Sequence, residues 1–192
     1  MVDELTLEEK WEPLQKREEE APLDTVDVQV EVQKEDGDSF PLELIQDSQE
    51  HYTDEQRQNL HQKISDMGTS EKFRLALLAN REARNLLIHD SNKMISLNVL
   101  KNPKITENEI LHYAKKRDLP DEIILAIAKD QKWKKNYPIK LAVVSNPKTP
   151  LSVAINLLFH LQERDLKSLT KDNDVPSALR RKAQETLQKK RY

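Results

Sequence analysis

The residues best placed to do chemistry fall in one stretch, Lys129-Asp130-Gln131-Lys132-Trp133-Lys134-Lys135-Asn136-Tyr137-Pro138-Ile139-Lys140. Ammonium groups meet phosphates, and aromatic faces stack on bases, a combination suited to single-stranded or flipped nucleotides. The same residues admit a structural role, with Trp133 and Tyr137 plugging the gap between neighbouring helices while the lysines solvate a loop. The candidate partner-binding set is therefore Lys129, Lys132, Trp133, Lys134, Lys135, Tyr137 and Lys140. A base-excising enzyme using Asp130 and Trp133 is a weaker reading, because such a site needs several converging aromatics.

Other chemistry is thinly supplied. The five histidines, His51, His61, His89, His112 and His160, are never three or four apart, so no helix-borne metal pair is expected. Without cysteine there is no thiolate catalysis, thiolate zinc site or disulfide. The two glycines stand at 37 and 68, too far apart for a phosphate-binding loop or a nucleophile elbow. Arg117-Asp118-Leu119 and Arg164-Asp165-Leu166 recur at places that look equivalent, and helix-end charge accounts for them. Arg180, Arg181 and Lys182 do not share a helix face with Lys189, Lys190 and Arg191, so a solvated terminal helix is expected there. The expectation is a non-enzyme with no cofactor and no metal.

The elements that position these residues are helical and repeated. Val99-Leu-Lys-Asn102-Pro and Val143-Val-Ser-Asn146-Pro are 44 residues apart, and Lys129-Asp130 precedes Lys171-Asp172 by 42. That period suits an array of short helical hairpins, a design that binds more often than it catalyses. Thr53 with Gln56 and Thr106 with Glu109 are capping boxes, and Gly68 is placed to end a helix. Pro120, Pro138, Pro150 and Pro176 sit where first helical turns are expected. Helices are drawn near 70–79, 82–89, 92–101, 106–117, 120–129, 138–145, 150–161, 163–171 and 176–190. Asn102 and Asn146 are read as left-handed helix exits that the following proline makes final.

Charge divides the chain. Residues 1–70 carry 20 acidic and 6 basic side chains, net −14, and residues 71–192 carry 14 acidic and 25 basic, net +11. The first fifty residues are too poor in large apolar groups to offset the entropy of ordering, so an acidic, largely disordered tail is expected over 1–50 and a helical-repeat domain over 51–192. Within the tail, Leu5, Leu7, Trp11 and Leu14 form a short apolar cluster. Val26, Val28, Val30 and Val32 alternate with polar residues, Glu35-Asp36-Gly37-Asp38 is turn chemistry, and Phe40, Leu42 and Leu44 alternate after it. A β-hairpin over about 25–45 is the expectation. No apolar run reaches the roughly 20 residues of a membrane span, and the acidic start lacks a secretory signal, so a cytoplasmic protein away from membranes is expected.

Ile139-Lys-Leu-Ala-Val-Val-Ser-Asn146-Pro-Lys-Thr-Pro150, followed by Lys171-Asp172 and Val175-Pro176-Ser-Ala-Leu-Arg180, resembles the leucine-rich repeat variant family. The likeness covers residues 139–180 well, 93–130 less well and 75–90 faintly. It implies an all-α, right-handed, HEAT-like solenoid without an assigned activity. Some members carry an N-terminal cysteine cluster for iron and sulfur, and this chain has no cysteine to carry that role over. Two functions then stand open. One is a protein-interaction scaffold whose acidic tail modulates or extends the contact. The other is a nucleic-acid-binding body autoinhibited by that tail.

Overall fold

The computed structural model describes residues 40–47 and 52–190, all within one compact unit of the chain. Among these residues every regular element is a helix. In order they are α1 (Leu42–Ile45), α2 (Asp54–Asp66), α3 (Thr69–Leu78), α4 (Arg81–Leu87), α5 (Lys93–Val99) and α6 (Glu107–Lys115). Then follow α7 (Asp121–Lys129), α8 (Gln131–Lys134), α9 (Tyr137–Ser145), α10 (Leu151–Leu158), α11 (Glu163–Lys171) and α12 (Ser177–Lys189). Helices this short are unstable alone, and an apolar core running through all of them supplies what propensity cannot.

The local grouping is by threes rather than by hairpins. In the sets α3–α4–α5, α6–α7–α9 and α10–α11–α12 the first and third helices pack together, and the second packs on the third. Asn92 and Asn136, which cap α5 and α9, are 44 positions apart, as are Asn102 and Asn146. Asp90 and Asp130, just past α4 and α7, are only 40 apart. The middle unit therefore carries a four-residue insertion between Asp130 and Asn136, and α8 is what those residues build. Under the register beyond Asp90, Arg117 and Arg164 are not equivalent, since Arg117 lies in the α6–α7 link and Arg164 in the first turn of α11. The Arg-Asp-Leu recurrence is incidental.

Asparagine closes the first two units by its side chain, not by a left-handed backbone. None of the described residues has a positive φ, and Asn146 leaves α9 at φ −81°, ψ 122°. Asn102 Nδ2 instead donates to the carbonyls of Ala76 and Ala79 at the end of α3, at 2.9 and 3.1 Å, while its Oδ1 accepts from Lys104 N–H at 2.8 Å. Asn146 repeats the pattern, donating to Ala114 and Lys116 at the end of α6 and accepting from Lys148 N–H. In the third unit Lys190 Nζ reaches Leu161 O, 2.7 Å away, just past the end of α10. Orphan helix-end carbonyls are thus satisfied by the third helix of the same unit. Asn146→Ala strands two of them, and chemical denaturation should register a loss of about 1–3 kcal/mol.

Two expectations near the N-terminal edge are corrected. Phe40, Leu42 and Leu44 do not form a strand, because Leu42–Ile45 is a helical turn entered from Pro41. Phe40, ahead of the turn, and Leu44, within it, are buried while Leu42 is 65% exposed, so the three do not share one face as a strand alternation requires. Asn80 holds this turn in place, donating to the carbonyls of Glu43 and Gln46 at 2.7 and 2.8 Å. The packed body thus reaches back to Phe40, ahead of residue 51. The valine alternation, the turn after it and the acidic tail itself lie outside the described residues. Gly68, expected to end a helix, begins one: Met67 caps α2, and Gly68 N–H donates to Glu71 Oε2 at 2.8 Å in the first turn of α3.

A buried charge cluster joins the first unit to the second. Arg84, on α4, is 2% exposed and Glu109, on α6, is 3% exposed. Arg84 Nε and Nη2 donate to the two carboxylate oxygens of Glu109 at 2.8 and 2.9 Å, and Nη1 donates to Ala79 O at 2.8 Å. Glu109 Oε2 also accepts from the backbone N–H and the hydroxyl of Thr106, completing the capping box of α6. Beside it Tyr113 is fully buried with its hydroxyl donating to Asn85 Oδ1 at 3.0 Å, and burial next to Glu109 drives its pKa well upward. No buried side-chain nitrogen or oxygen among the described residues lacks a partner.

Candidate partner-binding site

The insertion α8 begins at Asp130, whose Oδ1 accepts from Lys132 N–H at 2.7 Å, a side-chain cap on a helix of one turn. What holds so short a helix is Trp133, 2% exposed and packed in the common core. Lys132 Nζ lies 4.3 Å from the centre of its ring. A base needs an accessible aromatic face, and Trp133 does not offer one. Its side chain anchors the loop that carries the lysines.

Tyr137 is also committed. Its hydroxyl donates to Asp165 Oδ2 and accepts from Gln162 N–H at 2.9 Å, tying the start of α9 to the start of α11. Desolvation first, then the bond to Asp165, raises its pKa. Asn136 caps α9 through Ile139 N–H and donates to Glu107 Oε2 at 2.7 Å. Both residues position the chain on the far side of α8.

The lysines remain. Lys129, Lys132, Lys134 and Lys135 are exposed and Lys140 is half-buried. The ion pairs of the body fall elsewhere, and none of these five has an acidic partner among the described residues. Lys129 and Lys134 are brought together on one cleft of about 350 Å³. Gln131 joins them from α8, Asn156 from α10 and His160 from just past its end, with Ala128, Val153 and Leu157 as the apolar part of the lining. Lys132, Lys135 and Lys140 do not line it. Residues from α10 were missed from the sequence because no local motif marks them. The register from Asn102 to Asn146 could have found them, since it places His160 in the position that Lys116 holds one unit earlier.

That earlier position is occupied differently. Lys116 Nζ lies 3.0 Å from His89 Nε2, and Asp118 Oδ2 is 3.7 Å from His89 Nδ1. Burial and the Lys116 charge, against Asp118, hold the His89 pKa below its ordinary value. A neutral imidazole accepts from Lys116, whereas a protonated one repels it. With the folded-state pKa depressed, the unfolded chain takes up the proton first, so this contribution is present above about pH 6.5 and is lost as pH falls through the folded value. His89→Gln should therefore flatten the dependence of melting temperature on pH between about 7 and 5.

No group of three or more histidines and carboxylates among the described residues is arranged to hold a metal, and no helix among them is long and apolar enough to cross a membrane. No family model, curated protein or solved structure matches this chain.

Proposed function

We propose that this chain is a non-enzymatic protein-interaction scaffold, a HEAT-like right-handed solenoid of the leucine-rich repeat variant kind, whose contact surface is the lysine-bearing corner around α8. The observation that carries the reading is the insertion itself. The middle unit departs most in length from its neighbours between α7 and α9, and there it sets exposed lysines without acidic partners around a buried tryptophan. In repeat architectures, insertions of this kind map to one face, often the binding face. Cations held in place by a core anchor lose little entropy on meeting a partner, which favours recognition over incidental solvation.

The test uses the full chain with a photo-crosslinking amino acid at position 135, exposed in the cells that make the protein. Discrete protein adducts are expected, and changing Lys129, Lys132 and Lys134 to Glu together should abolish them. Absence of any protein adduct, or adducts indifferent to the charge reversal, overturns the proposal. A nucleic-acid partner rests on the same lysines without the tryptophan. It predicts adducts to nucleic acid instead, with binding that weakens steeply as salt rises.

A further inference from the structure

The two junctions between successive units can be compared position by position. His89 precedes Asp90 as Lys129 precedes Asp130, and Lys116 and His160 are 44 positions apart. The second junction therefore holds the same two residue types as the first, exchanged. In the first they are bonded at 3.0 Å. In the second no bond joins them among the described residues, and both line the cleft.

Volume accounts for the difference. Ile88, Glu109 and Tyr113 of the first junction correspond to Ala128, Val153 and Leu157 of the second. The first three are buried, Glu109 against Arg84 and Tyr113 against Asn85, and none of them lines the opening that His89 borders, which lies instead toward α2. Their counterparts are smaller in every case and carry no polar group to bridge the gap. Into the wall of the cleft the insertion places Gln131 and Lys134, residues with no counterpart in the first unit. No carboxylate is among the residues that line it, and no Phe, Tyr or Trp either.

Resting on the interaction reading above, we infer that this cleft seats an acidic peptide segment of the partner, one apolar side chain entering between carboxylates. The apolar side chain lies on Ala128, Val153 and Leu157. Flanking Asp or Glu side chains meet Lys129 on one wall and Lys134 on another, and Gln131 and Asn156 are available to peptide groups. The volume, about 350 Å³, is at the low end of ligand pockets and suits one or two side chains. A single-stranded nucleic acid is disfavoured because the lining offers no aromatic platform for bases.

The test pans a phage-displayed library of random dodecapeptides on the full chain, on Ala128→Ile, which restores the first junction's residue and fills the floor without changing charge, and on the double variant Lys129→Glu, Lys134→Glu. The wild type should enrich peptides with Asp or Glu on both sides of an apolar residue. An enriched peptide, titrated by calorimetry, should bind each variant about tenfold or more weakly, a loss of roughly 1.4 kcal/mol or more. Circular dichroism checks that Ala128→Ile folds, and the lysine variant alters only exposed positions. No enrichment of the motif by the wild type, or equal binding by Ala128→Ile, overturns the inference. So does labelled oligothymidylate whose binding is lost in the lysine variant and kept by Ala128→Ile, since that marks a flat phosphate-binding surface. Protein crosslinks at position 135 that persist in Ala128→Ile leave the scaffold standing and remove the cleft, whereas no crosslinks from any variant remove the scaffold.

Discussion

Arg84→Ala is expected to destabilise the body by about 3–5 kcal/mol, because it leaves the Glu109 carboxylate buried without its cation. The pair is almost wholly excluded from water, at 2% and 3% exposure, so solvent cannot replace the missing partner. The neighbouring junction does without charge at the equivalent places, although its smaller side chains leave the cleft open. One register carries Arg84 to Ile124 and another carries Glu109 to Val153, both apolar. The double variant Arg84→Ile, Glu109→Val should therefore recover part of the loss, the remainder being about 1 kcal/mol for the cap that Glu109 gives Thr106 together with the volume that the smaller side chains leave empty. The third unit needs no such cap at the equivalent place, since Pro150 has no N–H to satisfy. Urea titrations of the two single variants and the double variant decide it. A double variant as unstable as either single one would show that the charges are not the source of the cost.

Trp133→Ala should cost about 3–5 kcal/mol of folding stability, the range for emptying a buried aromatic site. Alpha-helix 8 has four residues and one side-chain cap, so little else holds it between α7 and α9. Loss of the ring also frees Lys132, which lies over it. Trp133→Phe keeps part of the packing and should fall between the wild type and alanine. Thermal unfolding of the three chains is the measurement. A Trp133→Ala chain that melts with the wild type would return the residue to recognition, where a stacking loss of about 1–3 kcal/mol would appear in binding alone.

The sequence marks its helices well where their ends are written in side chains. Thr53 with Gln56 and Thr106 with Glu109 start α2 and α6 as capping boxes, and the prolines at 120, 138, 150 and 176 open α7, α9, α10 and α12. Where alternation runs over only three residues the reading failed: Phe40, Leu42 and Leu44 satisfy a strand pattern, yet Leu42–Ile45 turns helically after Pro41 and leaves Leu42 in solvent. Alpha-helix 8 is shorter than any periodicity can reveal, and only a change in repeat spacing betrays it. Arg84 and Glu109 look like surface residues one by one. Their pairing spans 25 positions and two units, and nothing local announces it. The lysines were legible as charge, yet the cleft depends on small residues of α7 and α10, and smallness leaves no mark in a sequence until a second copy is laid beside it.

Every turn in the described body is made with ordinary negative backbone angles, as the absence of any positive φ requires. Nothing in those links demands glycine, and on backbone grounds almost any residue can stand in them. Heritable change is therefore constrained unevenly. Solvent-facing link residues such as Lys101 are free to drift, while Asn80, Asn102 and Asn146, whose amides hold one helix end to another, are not. A lineage of this fold would keep a sparse set of fixed asparagines amid rapidly changing sequence, and its members would grow hard to recognise from one another long before their architecture changed.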